Sequence, residues 1–214
     1  ERALRRSQIP ISHTGGFHPL PRIHFGQPLP LGSEGLAEWL ELELIAPLQP
    51  QASLTALQSQ LPSEFQLLAA QQVALDGPSL SALVTGALWQ FEASSVDGLP
   101  APSLDQWQAA LTALLAASEL PWQDTDKKGR PRQRDYRQLL LDLRLVSPTA
   151  SAAGQVGQNA PVQVTVASAI TPQGLGLKPD HLCLWLGQQL GRTLRTDRHR
   201  RLALGLADCV LTCS

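Results

Sequence analysis

The sequence predicts an α+β chain of two small units. Three observations predict it: period-two alternation at Leu40–Leu44 and Val162–Val166, 3.6-period apolar stripes at Leu104–Leu115 and Leu182–Leu190, and a similar ordering of the two patterns in each half of the 214 residues. The chain is 43% apolar and 16% charged, enough apolar matter for a packed core and too little charge for a disordered one.

Residues 1–7 read as the last turns of a helix, ended by Ser7-Gln8-Ile9-Pro10, with Ile9–His13 as a short strand. A Gly- and Pro-rich loop follows. Leu40, Leu42 and Leu44 then point inward from a half-buried strand, with Glu41 and Glu43 outward. Leu54, Leu57 and Leu61 mark one face of a helix stopped by Pro62, and Phe65–Val73 returns as a strand.

The second half opens with strand-like Trp89–Ser95. Ser103 and Gln106 form a capping box, in which hydroxyl and amide satisfy free backbone N–H groups, and Leu104, Trp107, Leu111, Leu114 and Leu115 stripe the helix that follows. Trp122–Thr125 reads as a strand, Tyr136–Leu143 as a helical turn or two, and Val162–Val166 as a strand. Residues 147–160 are small, Gly- and Gln-containing and without period, a flexible loop. Leu182, Trp185, Leu186 and Leu190 stripe a last helix capped by Gly191, and Arg201–Leu211 closes as a strand. Strand, helix, strand, strand, helix, strand is the ferredoxin-like order. The expectation is therefore two tandem ferredoxin-like (βαββαβ) units, residues 1–87, lacking the N-terminal strand, and residues 88–214.

There is no Met, and the chain opens inside a helix, so it reads as a piece of a longer protein. No apolar run approaches the roughly 18 residues of a membrane span. Three Cys, at 183, 209 and 213, make no secreted-type disulfide framework, and the location expected is cytoplasmic, with no membrane partner.

Charge is segregated. Residues 23–126 carry 12 Asp and Glu and no Lys or Arg, while the cations concentrate at Arg2–Arg22, Lys127–Arg144 and Arg192–Arg201, with Lys178 alone. A net charge of −1 thus conceals a dipolar chain, and its basic stretches suggest an anion-facing surface.

The densest functional segment is Gly15-Gly16-Phe17-His18-Pro19-Leu20-Pro21-Arg22-Ile23-His24-Phe25, followed by Pro28-Leu29-Pro30-Leu31-Gly32. Rigid prolines and paired glycines suit a preorganised loop holding Phe17, His18, Arg22 and His24. Arg130, Arg132 and Arg134 alternate on one face of an extended segment, and Arg198, Arg200 and Arg201 follow near the end; both groups are candidate anion contacts. His13, His18 and His24 match no zinc spacing, so no metal site is expected. Cys209 and Cys213 have the spacing of the first two ligands of an iron–sulfur cluster but lie on the closing strand, and they read as buried thiols. No phosphate-binding loop, dinucleotide fingerprint or hydrolase triad appears, and no catalytic residue is expected.

The helix end Ala3–Arg6, the run Gly16–Phe25 and Leu29-Pro30-Leu31-Gly32 resemble a family of unknown function: the radical-SAM-linked domain, fused to or encoded beside B12-binding and radical S-adenosylmethionine proteins. His18 stands where that family usually has Asn. The resemblance implies a non-catalytic accessory domain that recognises a substrate or partner, with an RNA or ribosome-related substrate. It also implies a radical SAM catalytic domain in cis or trans as partner, with the iron–sulfur cluster and S-adenosylmethionine in that parent or partner protein and no cofactor in this chain. Two other readings stay open: a stand-alone RNA-binding module, and a pseudouridine-synthase-like RNA-modifying enzyme using Asp197, which lies in Arg195-Thr196-Asp197-Arg198.

Overall fold

The computed structural model describes residues 2–126, 128–146 and 161–207. In chain order the elements are α1 (Arg2–Arg6), β1 (Ile23–Phe25), β2 (Glu34–Gly35), β3 (Leu40–Leu42), α2 (Pro50–Gln58), α3 (Leu80–Leu83), β4 (Val84–Ser95), α4 (Leu104–Ala116), β5 (Pro121–Thr125), β6 (Pro131–Asp135), β7 (Leu140–Val146), β8 (Val162–Ala169), α5 (Pro179–Leu190) and β9 (Leu194–Leu206). The fold class is α+β, with α2, α4 and α5 as the main helices. The chain divides into two compact units: Glu1–Gly26 with Trp39–Leu83, and Gln27–Glu38 with Val84–Ser214.

In the first unit, β1 and β3 pair antiparallel, with Ile23 opposite Leu42 and Phe25 opposite Leu40. Leu4, Ile9, Ile11 and Leu57 form its core, and Leu42, Leu44 and Leu61 pack around them. Leu40, expected inward, is 40% exposed. Instead of a full strand, residues 9–13 make two isolated bridges, Ile11 to Leu44 and His13 to Pro21. The strand expected at Phe65–Val73 does not form. At its start two backbone groups are taken by a side chain: the Gln58 amide donates to the Phe65 carbonyl (2.9 Å) and accepts from the Leu67 N–H (2.7 Å), so neither group is left for a ladder.

The second unit is organised on a five-stranded mixed sheet in the order β2-β9-β4-β8-β7. From β9 through β4 and β8 to β7 every pairing is antiparallel, and β2 pairs parallel with β9. α4 and α5 pack on each other; α4 reaches β7, and α5 reaches β9 and β4. Leu111, Leu114, Leu182 and Leu186 from the helices and Phe91, Val164 and Val166 from the strands are almost wholly buried. The capping box at Ser103 and Gln106 is present, and Gly191 ends α5 with φ +62°, the left-handed conformation that favours glycine. A separate hairpin, β5 with β6, is inserted between α4 and β7.

Tyr136–Leu143 is not helical beyond one 3₁₀ turn at Arg137–Leu139. Leu140 and Leu143 are both buried on β7 because a register irregularity between Leu140 and Asp142 leaves Leu141 exposed. A bulge gives a strand a three-residue spacing that reads as a helix. The closing strand starts at Leu194, and Leu211 lies outside the described residues, as do Cys209, Cys213 and residues 147–160. No helix among the described residues is long and apolar enough to cross a membrane.

Arg201, 2% exposed on β9, ties the segment 27–38 into this unit. Its guanidinium donates to the Gln27 carbonyl (3.0 Å), to the Pro28 carbonyl (3.2 Å) and to both carboxylate oxygens of Glu38, and it lies 5.3 Å from the centre of the Trp89 ring. Leu111→Ala is expected to lower stability by about 2–5 kcal/mol and Ser103→Ala by about 1 kcal/mol, read from urea unfolding; equal effects would contradict the placement of Leu111 at the centre of the core.

Candidate functional site

The Pro- and Gly-rich segment forms a loop fastened at its base. The Thr14 N–H donates to the Leu20 carbonyl (2.8 Å), and the Leu20 N–H donates back to Thr14 Oγ1 (3.0 Å). Below them the Arg22 N–H donates to the Ser12 carbonyl (2.8 Å), and Ser12 and Arg22 both bond to Glu43. Gly16, at φ +109°, makes the turn, which a side chain would strain. Phe17 stands at the tip, 97% exposed, with the His18 ring edge-on at 5.7 Å. His24, exposed on β1, lies opposite Glu41, and the Arg22 guanidinium pairs with Glu43 at 3.0 Å. The four loop residues predicted from sequence therefore share one small region of the first unit.

The predicted arginines of the second unit lie on two different elements, and each has a carboxylate partner. On the hairpin, Arg132 grips Asp124 with two bonds (3.1 and 3.0 Å), Arg134 Nε is 3.6 Å from the same carboxylate, and Arg130 pairs with Asp126 at 3.0 Å. Arg132 holds the Asp124 carboxyl below its ordinary range, and the Arg130 N–H does the same for Asp126. On β9, Arg198 pairs with Glu34 at 2.7 Å and lowers its carboxyl, and Arg200 lies 3.6 Å from Glu34. The hydrogen bonds of Arg201 are spent within the fold. Glu34 and Glu38 come from the cation-free acidic stretch, so the charge separation seen along the sequence closes up in space.

Asp197 accepts from Arg195 at 2.6 Å on exposed strand backbone, the geometry of an ion pair. His13 Nδ1 bonds the Ile11 carbonyl (3.0 Å), and among the described residues no three His, Cys, Asp or Glu are grouped to hold a metal.

A cluster that the sequence reading missed surrounds His181. This residue is 6% exposed in the first turn of α5, with the rings of Trp122, Tyr136 and Trp185 at 4.1, 4.9 and 5.9 Å, and its Nδ1 is buried with no hydrogen-bond partner. Trp185 Nε1 donates to the Pro121 carbonyl (3.0 Å), fastening the hairpin to α5. The signal available in the sequence was weak, because the three rings come from three separate elements and only Trp185 belongs to a readable stripe.

Residues 1–172 match the model of DUF2344, described as an uncharacterized protein conserved in bacteria. The chain belongs to this family. No curated protein gives a significant match. The DUF2344 match takes in the Gly16–Phe25 loop, the hairpin arginines and every strand through β8, and it stops short of α5 and β9.

Burial, with a smaller contribution from the Lys178 charge, pushes His181 of this DUF2344 chain down to about 4, against the weaker opposing pull of Asp180 and Asp124. The folded state thus keeps the imidazole neutral while the unfolded chain binds a proton near pH 6.5. The contribution of this residue to stability is complete above pH 6.5 and is lost as the pH falls towards 4, on the order of 3 kcal/mol in all. His181→Phe should flatten that part of the pH–stability curve, measured by denaturant unfolding between pH 4 and 7; an unchanged slope would show that His181 is not held neutral.

Proposed function

We propose that this DUF2344 domain is a non-catalytic recognition module that presents an RNA or ribosome-related substrate to a radical SAM catalytic domain in cis or trans, using the Thr14–Phe25 loop as its contact element. The observation that carries this reading is Phe17: a fully exposed aromatic ring on a loop closed by reciprocal hydrogen bonds and turned at a positive-φ glycine. Covering such a ring gains roughly 1.5–3 kcal/mol by apolar burial and about 1–3 kcal/mol by stacking on a nucleobase. Little ordering cost is left to offset it, because the loop is already fixed.

The likeness of Gly16–Phe25 and Leu29–Gly32 to the radical-SAM-linked pattern supplies the partner class. The iron–sulfur cluster and S-adenosylmethionine then belong to that partner or to the parent chain. We read the second unit as ferredoxin-like: its elements run strand, helix, strand, strand, helix, strand, and the sheet places them in the order 4-1-3-2, with one inserted hairpin and one added parallel edge. Its paired arginines add a polar surface whose strongest charges are internally balanced.

Binding of the domain to structured RNA and to the cognate radical SAM domain tests the reading. Phe17→Ala should weaken binding to one of the two about tenfold or more while the thermal unfolding profile stays unchanged, since the ring packs on nothing but His18. RNA affinity, where found, should fall as salt rises. Affinity for neither ligand, or an unchanged affinity in Phe17→Ala, would overturn it.

A further inference from the structure

A cavity of about 250 Å³ lies within the second unit, separate from the loop residues. Trp89, Leu29, Ile170 and Leu177 supply apolar wall, and Gln27 and Lys178 supply polar groups. The wall formed by residues 27–30 is held by the Arg201 bonds to the Gln27 and Pro28 carbonyls, and the guanidinium above Trp89 fixes the ring. This is a preformed space whose shape does not depend on a ligand arriving.

Two glycines also line the space. Gly174 closes a tight turn on Thr171 with φ +77°, and a Cβ there would come within 3.2 Å of the Gln27 amide nitrogen. A Cβ on Gly176 would come within 3.2 Å of Ile170 Cγ1. With no side chain on Gly174, Gln27 lies across it without being pushed aside. Among the described residues, no hydrogen-bond partner is found for this side-chain amide.

Lys178 is the decisive group. It is exposed, and among the described residues it has no carboxylate within ion-pair distance. Eight arginines of the same unit do, namely those at positions 130, 132, 134, 144, 195, 198, 200 and 201. The acid nearest in sequence, Asp180, accepts instead from the Thr196 hydroxyl (3.1 Å). The other cation of the cavity, Arg201, is neutralised by Glu38. An apolar space lined by a lysine without an ion-pair partner among the described residues and by an amide without a hydrogen bond is complementary to a molecule with an apolar body and an anionic end.

We infer that this cavity binds a small organic anion, its apolar body against Pro28 and Leu29 and its anionic group on Lys178, with the Gln27 amide reading a polar edge of that body. The volume suits a ligand near the size of a nucleobase or an indole rather than one at the upper end of the usual pocket range of about 300–1,000 Å³. A carboxylate and a phosphate monoester share this chemistry, and the test separates them.

Uridine 5′-monophosphate, indole-3-acetate and their uncharged counterparts, uridine and indole, are titrated into the intact chain while the indole N–H resonances of its five Trp are followed by ¹H–¹⁵N correlation; Trp89→Phe assigns the Trp89 signal. The expected result is a saturable shift of the Trp89 resonance by at least one anion, roughly tenfold weaker with the uncharged counterpart and roughly tenfold weaker in Lys178→Gln. Lys128→Gln should leave the affinity as it was, and so should Phe17→Ala, which keeps this outcome apart from that of the loop reading. Lys178 is exposed, so its variant should fold; Gly176→Val, which would press the Ile170 wall out of place, should weaken the shift. No saturable shift with either anion up to millimolar concentration, or a shift indifferent to Lys178→Gln or to the ligand's charge, would overturn the proposal.

Discussion

One buried guanidinium sets the edge of the second unit. Burying an arginine is unfavourable unless its charge is matched and its donors are met. Glu38 matches the charge of Arg201, and the Gln27 and Pro28 carbonyls take further donors. Those partners lie at the two ends of one segment, so a single side chain fixes both ends. The segment between them then completes the edge: β2 pairs with Arg200 and Arg201, and the Leu36 N–H reaches the carbonyl of Arg201 itself. The ladder between β4 and β9 shifts register at this point, Leu88 facing Ala203 and Trp89 facing Arg201. An extra residue on β9 re-aims the chain so that the guanidinium meets Trp89.

The same logic redistributes the charge of the whole chain. Taken along the sequence, 12 carboxylates without a cation suggest a molecule with separated poles. In space Glu34 and Glu38 are given to β9, Asp124 to β6, Asp126 to Arg130 just before it, and Glu43 to Arg22. Apart from Arg201 these pairs are solvent-accessible, and screening by water leaves each with little weight in stability. Their larger effect is to remove most arginines from the supply of free anion contacts, which is what makes an unpaired Lys178 informative.

The helices were the most legible part of the fold. α4 announces itself by Ser103 and Gln106 followed by a stripe, and α5 by its stripe and Gly191, because caps and 3.6-residue periods are local properties. What the sequence concealed was non-local. Leu140 and Leu143 have a helical spacing that a bulge at Leu141 turns into one face of a strand. Phe65–Val73 has strand-like content, yet the Phe65 carbonyl and the Leu67 N–H at its start go to the amide of Gln58, a residue with nothing in its local pattern to mark it. The loop residues of the candidate site were legible because Gly16, Pro19 and Pro21 constrain the backbone wherever they stand. The His181 cluster and the cavity were not, since each is assembled from elements far apart in sequence.

Exposure alone does not single out a site in this chain. Leu31 is as open as Phe17 and Leu75 nearly so, and Lys128 is exposed like Lys178. The distinction lies in what surrounds each group. The backbone of Phe17 is fixed by bonds on both sides of the turn, so a partner that covers the ring gains apolar and stacking energy without first ordering the loop. Lys178 stands at the wall of a space whose shape is already held by Arg201 and by two missing side chains, so an anion placed there meets its partner without rearranging the fold. In both places the ordering cost has been met by folding itself, and the chemical group left unsatisfied is the one a ligand would have to complement.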